Sequence, residues 1–323
     1  MALTIASLHS QLLIILVGSL ALFLAIIQPS LAHSRKLIVE SPEKAADSDR
    51  FGSLDDVRRY LERFGYKEKP FEYPNGATGD TLTTESSLYE AISLYQQKNH
   101  LKVTGKLDTE TAARMRTPRC GMPDIIPSGR KGGSTAAGHH HHGTSKHGKL
   151  LHVVGHYNYF ANMSPWTKSE ITYSFTSTVP LVSLENLRAI CNRAFQRWAA
   201  VTPFQFREAG EGDPEADITI GFYTGDHGDG VPFDGPGNVW AHAFAPQDGR
   251  LHFDGSEQWS TSTPTLDETD LESVALHEIG HTLGLAHTAD QDAVMYAYIG
   301  QGDVKRELQQ DDINGIRALY PSK

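Results

Sequence analysis

The sequence predicts an α+β protein, with a small helical domain followed by a larger domain of mixed strands and helices. Three observations carry that reading. Between about residues 41 and 117, apolar side chains recur at helical spacing. From about residue 157 onward, strand-like alternation and helical stripes are interspersed. The tract between them is dominated by Gly, Ser, Lys and His, cannot bury a core, and reads as a protease-accessible linker.

The elements follow in chain order. Residues 12–27 are apolar apart from Gly18 and Ser19, long enough for the core of an export signal and short for a bilayer span of about 20 residues. Gln28-Pro29 breaks that run and Ser30-Leu31-Ala32 supplies small residues for cleavage, so residues 1–32 read as a signal peptide, with an uncleaved anchor as the alternative. The helical domain spans 33–130. Its first stripe is Leu54, Val57, Leu61 and Phe64, and its second is Leu88, Ala91, Ile92 and Tyr95. Leu107-Asp108-Thr109-Glu110 opens a short third helix with Asp108 or Thr109 as cap.

The linker, 131–156, contains four consecutive His residues from His139 to His142. Such a tract binds metal weakly and without specificity, so it is read as linker and not as a site. In the larger domain, 157–323, Ile171, Tyr173 and Phe175 alternate, as do Phe204 and Phe206, and Ile218, Ile220 and Phe222. These are strands with one buried face. Leu184, Leu187, Cys191, Ala194, Phe195 and Trp198 follow a 3.6 period, and a last helix runs through Asp311, Ile313, Ile316 and Leu319. Asn162-Met163-Ser164 is an acceptor sequence for a glycan.

Charge narrows the partners. The 323 residues carry 29 Lys plus Arg against 39 Asp plus Glu, a net −10, which leaves no broad basic surface and argues against nucleic acid, leaving calcium or a basic partner open. Two cysteines allow at most one disulfide, so stability outside the cytosol must come from a core or from bound metal.

The chemistry concentrates in His277-Glu278-Ile279-Gly280-His281-Thr282-Leu283-Gly284-Leu285-Ala286-His287. On a helix, His277 and His281 lie one turn apart on one face and can share a metal ion. Were the helix to continue, His287 would stand roughly 15 Å above His277, out of reach of that ion. Gly284 can take φ > 0, end the helix and turn the chain back, so that His287 supplies a third nitrogen. Three neutral imidazoles leave one zinc position open, the arrangement of a catalytic site. Glu278 stands beside it and can take the proton of a zinc-bound water.

These residues match the zinc signature of the metzincin metallopeptidases, and Ala293-Val294-Met295-Tyr296 resembles the Met-turn of that clan, which implies an apolar floor role for Met295. Pro118-Arg119-Cys120-Gly121-Met122-Pro123-Asp124 resembles the cysteine switch of matrix metalloproteinase zymogens, with Met122 where Val is usual. The resemblance implies a twisted, mostly parallel five-stranded sheet with three helices, a secreted zinc endopeptidase, and a helical prodomain that acts as its inhibitor. It also implies that Arg119 pairs with Asp124 to hold Cys120 at the zinc of the latent form. A Cys120-Cys191 disulfide remains the alternative at this point.

The same resemblance extends to further metals. His227, Asp229, His242 and His252 match the structural-zinc motif of the family, a closed set of four donors; two polar strand faces are the alternative. Phe233-Asp234-Gly235-Pro236-Gly237 resembles its calcium loop, which implies ligands from Asp234, Asp254 and Glu257 and from the carbonyls of Gly235, Gly237 and Val239. Two zinc ions and at least one calcium ion are therefore expected. The resemblance to plant-type and minimal members leads to the expectation of a form without a propeller-like domain. Activation is expected to cut between residues 132 and 156, after which the new amino terminus would pair with Asp311 or Asp312. Substrate would lie extended along the edge strand near Trp240-Ala241, with one side chain in an apolar pocket. The wall of that pocket departs from the family, with Ala297 and Ile299 in place of Pro and Tyr.

The expected product is a monomer, free of the membrane after signal removal, in the extracellular space, matrix or apoplast, acting on proteins or peptides. A non-catalytic zinc scaffold and an astacin-like or reprolysin-like peptidase are the rival readings. The first is opposed by the presence of Glu278, the second by the Cys120 motif. The helical part alone also resembles peptidoglycan-binding modules.

Overall fold

The computed structural model describes residues 53–66, 82–125, 157–160, 163–176, 179–210 and 212–321. The predicted signal, the linker with its histidine tract and cleavage region, and Asn162 lie outside the described residues.

The helical domain is built from α1 (Leu54–Arg63), α2 (Leu82–Lys98) and α3 (Thr109–Arg116). Ser53 caps α1 with a reciprocal box: its hydroxyl accepts from the Asp56 amide and Asp56 accepts from the Ser53 amide. Of the predicted stripe, Val57, Leu61 and Phe64 are buried, while Leu54 at the helix start faces solvent. Asp108 is the cap of α3, accepting from the Thr111 amide at 2.9 Å. Gln96 ties the connection between α2 and α3 together, donating to the Lys106 carbonyl and the Thr111 hydroxyl and accepting from the amides of Thr104 and Gly105.

The larger domain is organised by a five-stranded sheet in the order β3-β2-β4-β6-β5, from β2 (Glu170–Phe175), β3 (Gln205–Glu208), β4 (Ile218–Tyr223), β5 (Ala241–Ala243) and β6 (Arg250–Asp254). Four strands are parallel; β5, at one edge, is antiparallel to β6. That agrees with the mostly parallel five-stranded sheet expected. The domain also carries β1 (Asn158–Tyr159), β7 (Trp259–Ser260), β8 (Thr269–Asp270) and β9 (Leu285–Ala286), and the helices α4 (Leu184–Ala199), α5 (Leu271–Thr282) and α6 (Gln310–Leu319). Short β1 pairs with β9, and β7 with β8.

The stripe on α4 buries Leu187, Cys191, Ala194, Phe195 and Trp198 against the sheet and α5, and each fully buried large apolar side chain contributes on the order of 1.5–3 kcal/mol. The Trp198 indole also donates to the Leu276 carbonyl of α5 at 2.9 Å. Every residue of α5 is buried, so this helix is surrounded by protein and its position is fixed. Asp270 caps it, accepting from the Ser273 amide at 3.0 Å. Both cysteines are free thiols, Cys191 inside the core and Cys120 elsewhere, so the alternative disulfide is not formed. Among the described residues no helix is long and apolar enough to cross a membrane.

Candidate active site

Helix α5 carries His277 and His281 one turn apart and stops at Thr282. Gly284 takes φ +108°, and a Cβ there would stand 2.5 Å from Met163 Sδ, so both the turn and the packing require glycine. The reversal brings His287 back over the helix end. His281 Nε2 and His287 Nε2 come within 3.3 Å, and the metal-binding atoms of His277, His281, His287 and Cys120 all lie within 4.8 Å of one another.

Each imidazole is oriented from behind. His277 Nδ1 meets the Val294 carbonyl at 2.7 Å, His281 Nδ1 the Leu285 carbonyl at 2.7 Å, and His287 Nδ1 the Asp124 carboxylate at 2.8 Å. A proton on each Nδ1 leaves every Nε2 lone pair turned to the common centre, the tautomer a metal ligand needs. Among the described residues His277 Nε2 is buried without a hydrogen-bond partner, an orphan that a metal ion would satisfy. Burial pushes His277 down to about 3 and lowers His281, so both rings are neutral. This donor set fits zinc.

Glu278 is fully buried beside the cluster. Among the described residues no donor lies in bonding geometry to either of its oxygens, although the Cys120 thiol faces it, and burial pushes its carboxyl up to about 8. Gly280 lets Met295 close against the helix, since a Cβ there would meet Met295 Sδ at 2.3 Å. Asp312 fixes the turn that carries Met295, accepting from the amides of Val294, Met295 and Gln309. Asp311, the other acid expected to receive a new amino terminus, accepts from the Thr288 hydroxyl.

Cys120 arrives from the helical domain. Its Sγ is 3.4 Å from His281 Nε2. The segment carrying it lies in the cleft as an added strand: the Arg119 amide donates to the Asn238 carbonyl, the Trp240 amide to the Arg119 carbonyl, and the Gly121 amide to the Ala241 carbonyl. On the opposite wall the Cys120 amide donates to the Ala297 carbonyl at 2.9 Å. Arg119 is fully buried and clamps Asp124 with two hydrogen bonds, of 2.5 and 2.9 Å. Burial alone would raise the Asp124 carboxyl, but Arg119 and then His287 hold it well below the usual carboxylate range. The pairing expected of Arg119 and Asp124 is thus present, and it also reaches His287.

Sequence reasoning missed what holds Arg119 in place. Its guanidinium sits over the Phe64 ring at 3.7 Å and the Tyr298 ring at 4.8 Å, and it donates to the Tyr298 hydroxyl at 3.0 Å. The hydroxyls of Tyr95 and Tyr60 lie 3.0 and 3.4 Å from that of Tyr298. Arg114 donates to the Tyr296 hydroxyl, and Tyr66 to Asp124. Nothing in local periodicity announces these contacts, which join side chains up to 238 positions apart.

A second cluster is built on the edge strand and its neighbour. The antiparallel register puts His242 of β5 opposite His252 of β6. Asp229 Oδ2 lies 2.8 Å from His227 Nε2, 2.7 Å from His242 Nε2 and 2.9 Å from His252 Nδ1, and the four donors again lie within 4.8 Å of one another. His227 and His242 stack at 5.4 Å, with Phe233 against both. This set also fits zinc, with no position left open.

The predicted calcium ligands are less tightly gathered. Gly235 and Gly237 have φ of +83° and +90° and shape the loop. Glu257 accepts from the Gly237 amide at 2.6 Å, and Asp234 accepts from the Val239 amide at 3.2 Å. Among the described residues Asp254 Oδ2 is buried without a partner, and burial followed by the nearby Asp254 and Asp234 pushes Glu257 up to about 7. A cation would relieve that crowding of acids. Among the described residues, however, the acids of this loop do not converge as the two histidine clusters do.

The family described as Matrixin matches residues 165–321, and the one described as Putative peptidoglycan binding domain matches residues 53–115. The chain is 40% identical over 283 residues to Metalloendoproteinase 5-MMP of Arabidopsis thaliana, covering 84% of this chain and 72% of that one. It is 39% identical over 277 residues to Metalloendoproteinase 1 of Glycine max, covering 84% and 82%. Identity to Stromelysin-1 of Mus musculus is 38% over 283 residues, covering 86% of this chain and 51% of that one.

Proposed function

Since the chain belongs to the matrixin family of zinc metalloendopeptidases, we propose that it is made as a latent, exported precursor and becomes active when its prodomain is removed. The observation that carries this is the single cluster in which three imidazole nitrogens and the Cys120 sulfur meet, with the buried Glu278 carboxyl beside it.

In this reading His277, His281 and His287 hold the catalytic zinc and Cys120 takes the fourth position in the latent form. Zinc, when bound, polarises the scissile carbonyl and makes a water more acidic. Glu278 takes the proton of the attacking water and returns it to the leaving amine nitrogen. Met295 closes the floor under the three imidazoles. Substrate protein lies extended along the segment 238–241, where the Arg119-Cys120-Gly121 strand now sits, and uses the same backbone groups. Latency follows from that overlap: one strand blocks both the substrate groove and the zinc position.

His227, Asp229, His242 and His252 hold a second, structural zinc. Asp234, Asp254 and Glu257, with the carbonyls of Gly235, Gly237 and Val239, hold a calcium ion that neutralises the buried acids. The domain limits are those expected from sequence: signal 1–32, prodomain 33–130, cleavable linker 131–156 and catalytic domain 157–323. The mature enzyme is a monomer in the extracellular space, matrix or apoplast.

Metal analysis combined with cleavage of a quenched peptide tests this. Processed enzyme should carry two zinc ions and lose cleavage on exhaustive chelation, then regain it when zinc is restored. Equal turnover by the chelated sample would overturn the reading.

A further inference from the structure

The pocket beside the candidate zinc site is not apolar throughout. It holds about 320 Å³ of empty space, part of it open to solvent, and its walls include Val274, Val294, Ala297 and Ile299. Lys305 also lines it. Its backbone is pinned: the Lys305 amide donates to Ser273 Oγ at 2.7 Å, and Arg306 next to it clamps Asp270, the cap of α5, at 2.5 and 2.9 Å.

The ammonium is held on one side. It donates to the carbonyls of Gln291 and Ala293 and lies 5.1 Å from the Tyr296 ring centre. An ammonium has three donors, and among the described residues two of them are bonded. Burial lowers the Lys305 pKa, while Asp292, Asp312, Asp303 and Asp290 favour its charged form. An aliphatic side chain filling the pocket would strip water from that third donor and give nothing back. A side chain ending in an oxygen would replace the water.

Resting on the peptidase reading above, we propose that Lys305 is a specificity-determining residue, and that the pocket prefers a residue after the scissile bond whose long side chain ends in an oxygen acceptor, glutamine or glutamate. The methylenes of such a residue pack on Val274, Val294 and Ile299, and its terminal oxygen accepts from the ammonium. A lysine in the same position meets like charge.

The test uses the processed, zinc-loaded enzyme and quenched peptides that differ only after the scissile bond: Gln, Glu, Leu or Lys. The Gln and Glu peptides should have kcat/KM at least equal to Leu, with Lys slowest. Lys305→Met should lower the Gln-to-Leu ratio about tenfold, and Lys305→Arg should keep it, which separates loss of the cation from misfolding. A Gln-to-Leu ratio clearly below one in the wild type, or one unmoved by Lys305→Met, would overturn the inference while leaving the peptidase intact. Failure to cleave any of the peptides would overturn the peptidase reading and this inference with it.

Discussion

The two histidine clusters use nearly the same donors in opposite ways. At the first, two ligands come from a buried helix and one from the turn after it, and the fourth donor, Cys120, belongs to a different domain. At the second, all four donors come from loops and strands of one domain, with Asp229 at the centre of three imidazoles. Beside the first lies the buried carboxyl of Glu278, faced by the Cys120 thiol; the second has its carboxylate already inside the cluster. On the proposed reading the first, with one donor supplied by the helical domain and an acid beside it, serves chemistry, and the second, whose donors are all local, holds the chain.

That contrast breaks most visibly if the clusters respond alike to ligand loss. His281→Ala should remove one zinc and cut cleavage by roughly 10⁴-fold or more, because the reaction loses its Lewis acid, while the second metal stays. Metal content and kcat/KM on one preparation check this. Next in size is the detachable ligand. If the thiolate contributes roughly 3 kcal/mol to the closed state, the unprocessed Cys120→Ser chain should cleave about a hundredfold faster than the unprocessed wild type. A stably silent variant would contradict the switch.

Asp229→Asn probes the other cluster and should act on stability first. Losing the central carboxylate among three imidazoles should cost roughly 2–3 kcal/mol and the second metal, read as a lower Tm, with His277, His281 and His287 still loaded. The smallest effect sharpens the domain contact. Tyr298→Phe removes the hydroxyl that receives Arg119, worth about 1 kcal/mol, so Cys120 in the precursor should react about fivefold faster with a thiol reagent.

Much of this was legible because the signals are local. The spacing of His277, Glu278 and His281 identifies one helix face, and Gly284 sits at the one place where the chain must turn for His287 to return. The alternation at Ile171, Tyr173 and Phe175 marks a strand by the same logic. Leu54 belongs to the predicted stripe yet faces solvent at the first position of α1, since periodicity marks a helix face but not where its packing ends. The Tyr60, Tyr95 and Tyr298 hydroxyls around Arg119, and the Lys305 ammonium in the pocket, could not be read at all. Their meaning arises only when segments far apart in the chain are packed together, and none belongs to a periodic pattern. The Cys120-Cys191 alternative was open for the same reason, since pairing depends on where the fold puts each thiol.

The claim on which the rest depends is that Glu278 moves the proton while three imidazoles hold the metal. The most direct measurement is metal content and peptide cleavage in processed Glu278→Ala. The account predicts an undiminished zinc complement with kcat/KM reduced roughly 10²–10⁴-fold. Wild-type turnover by the fully loaded variant would contradict it.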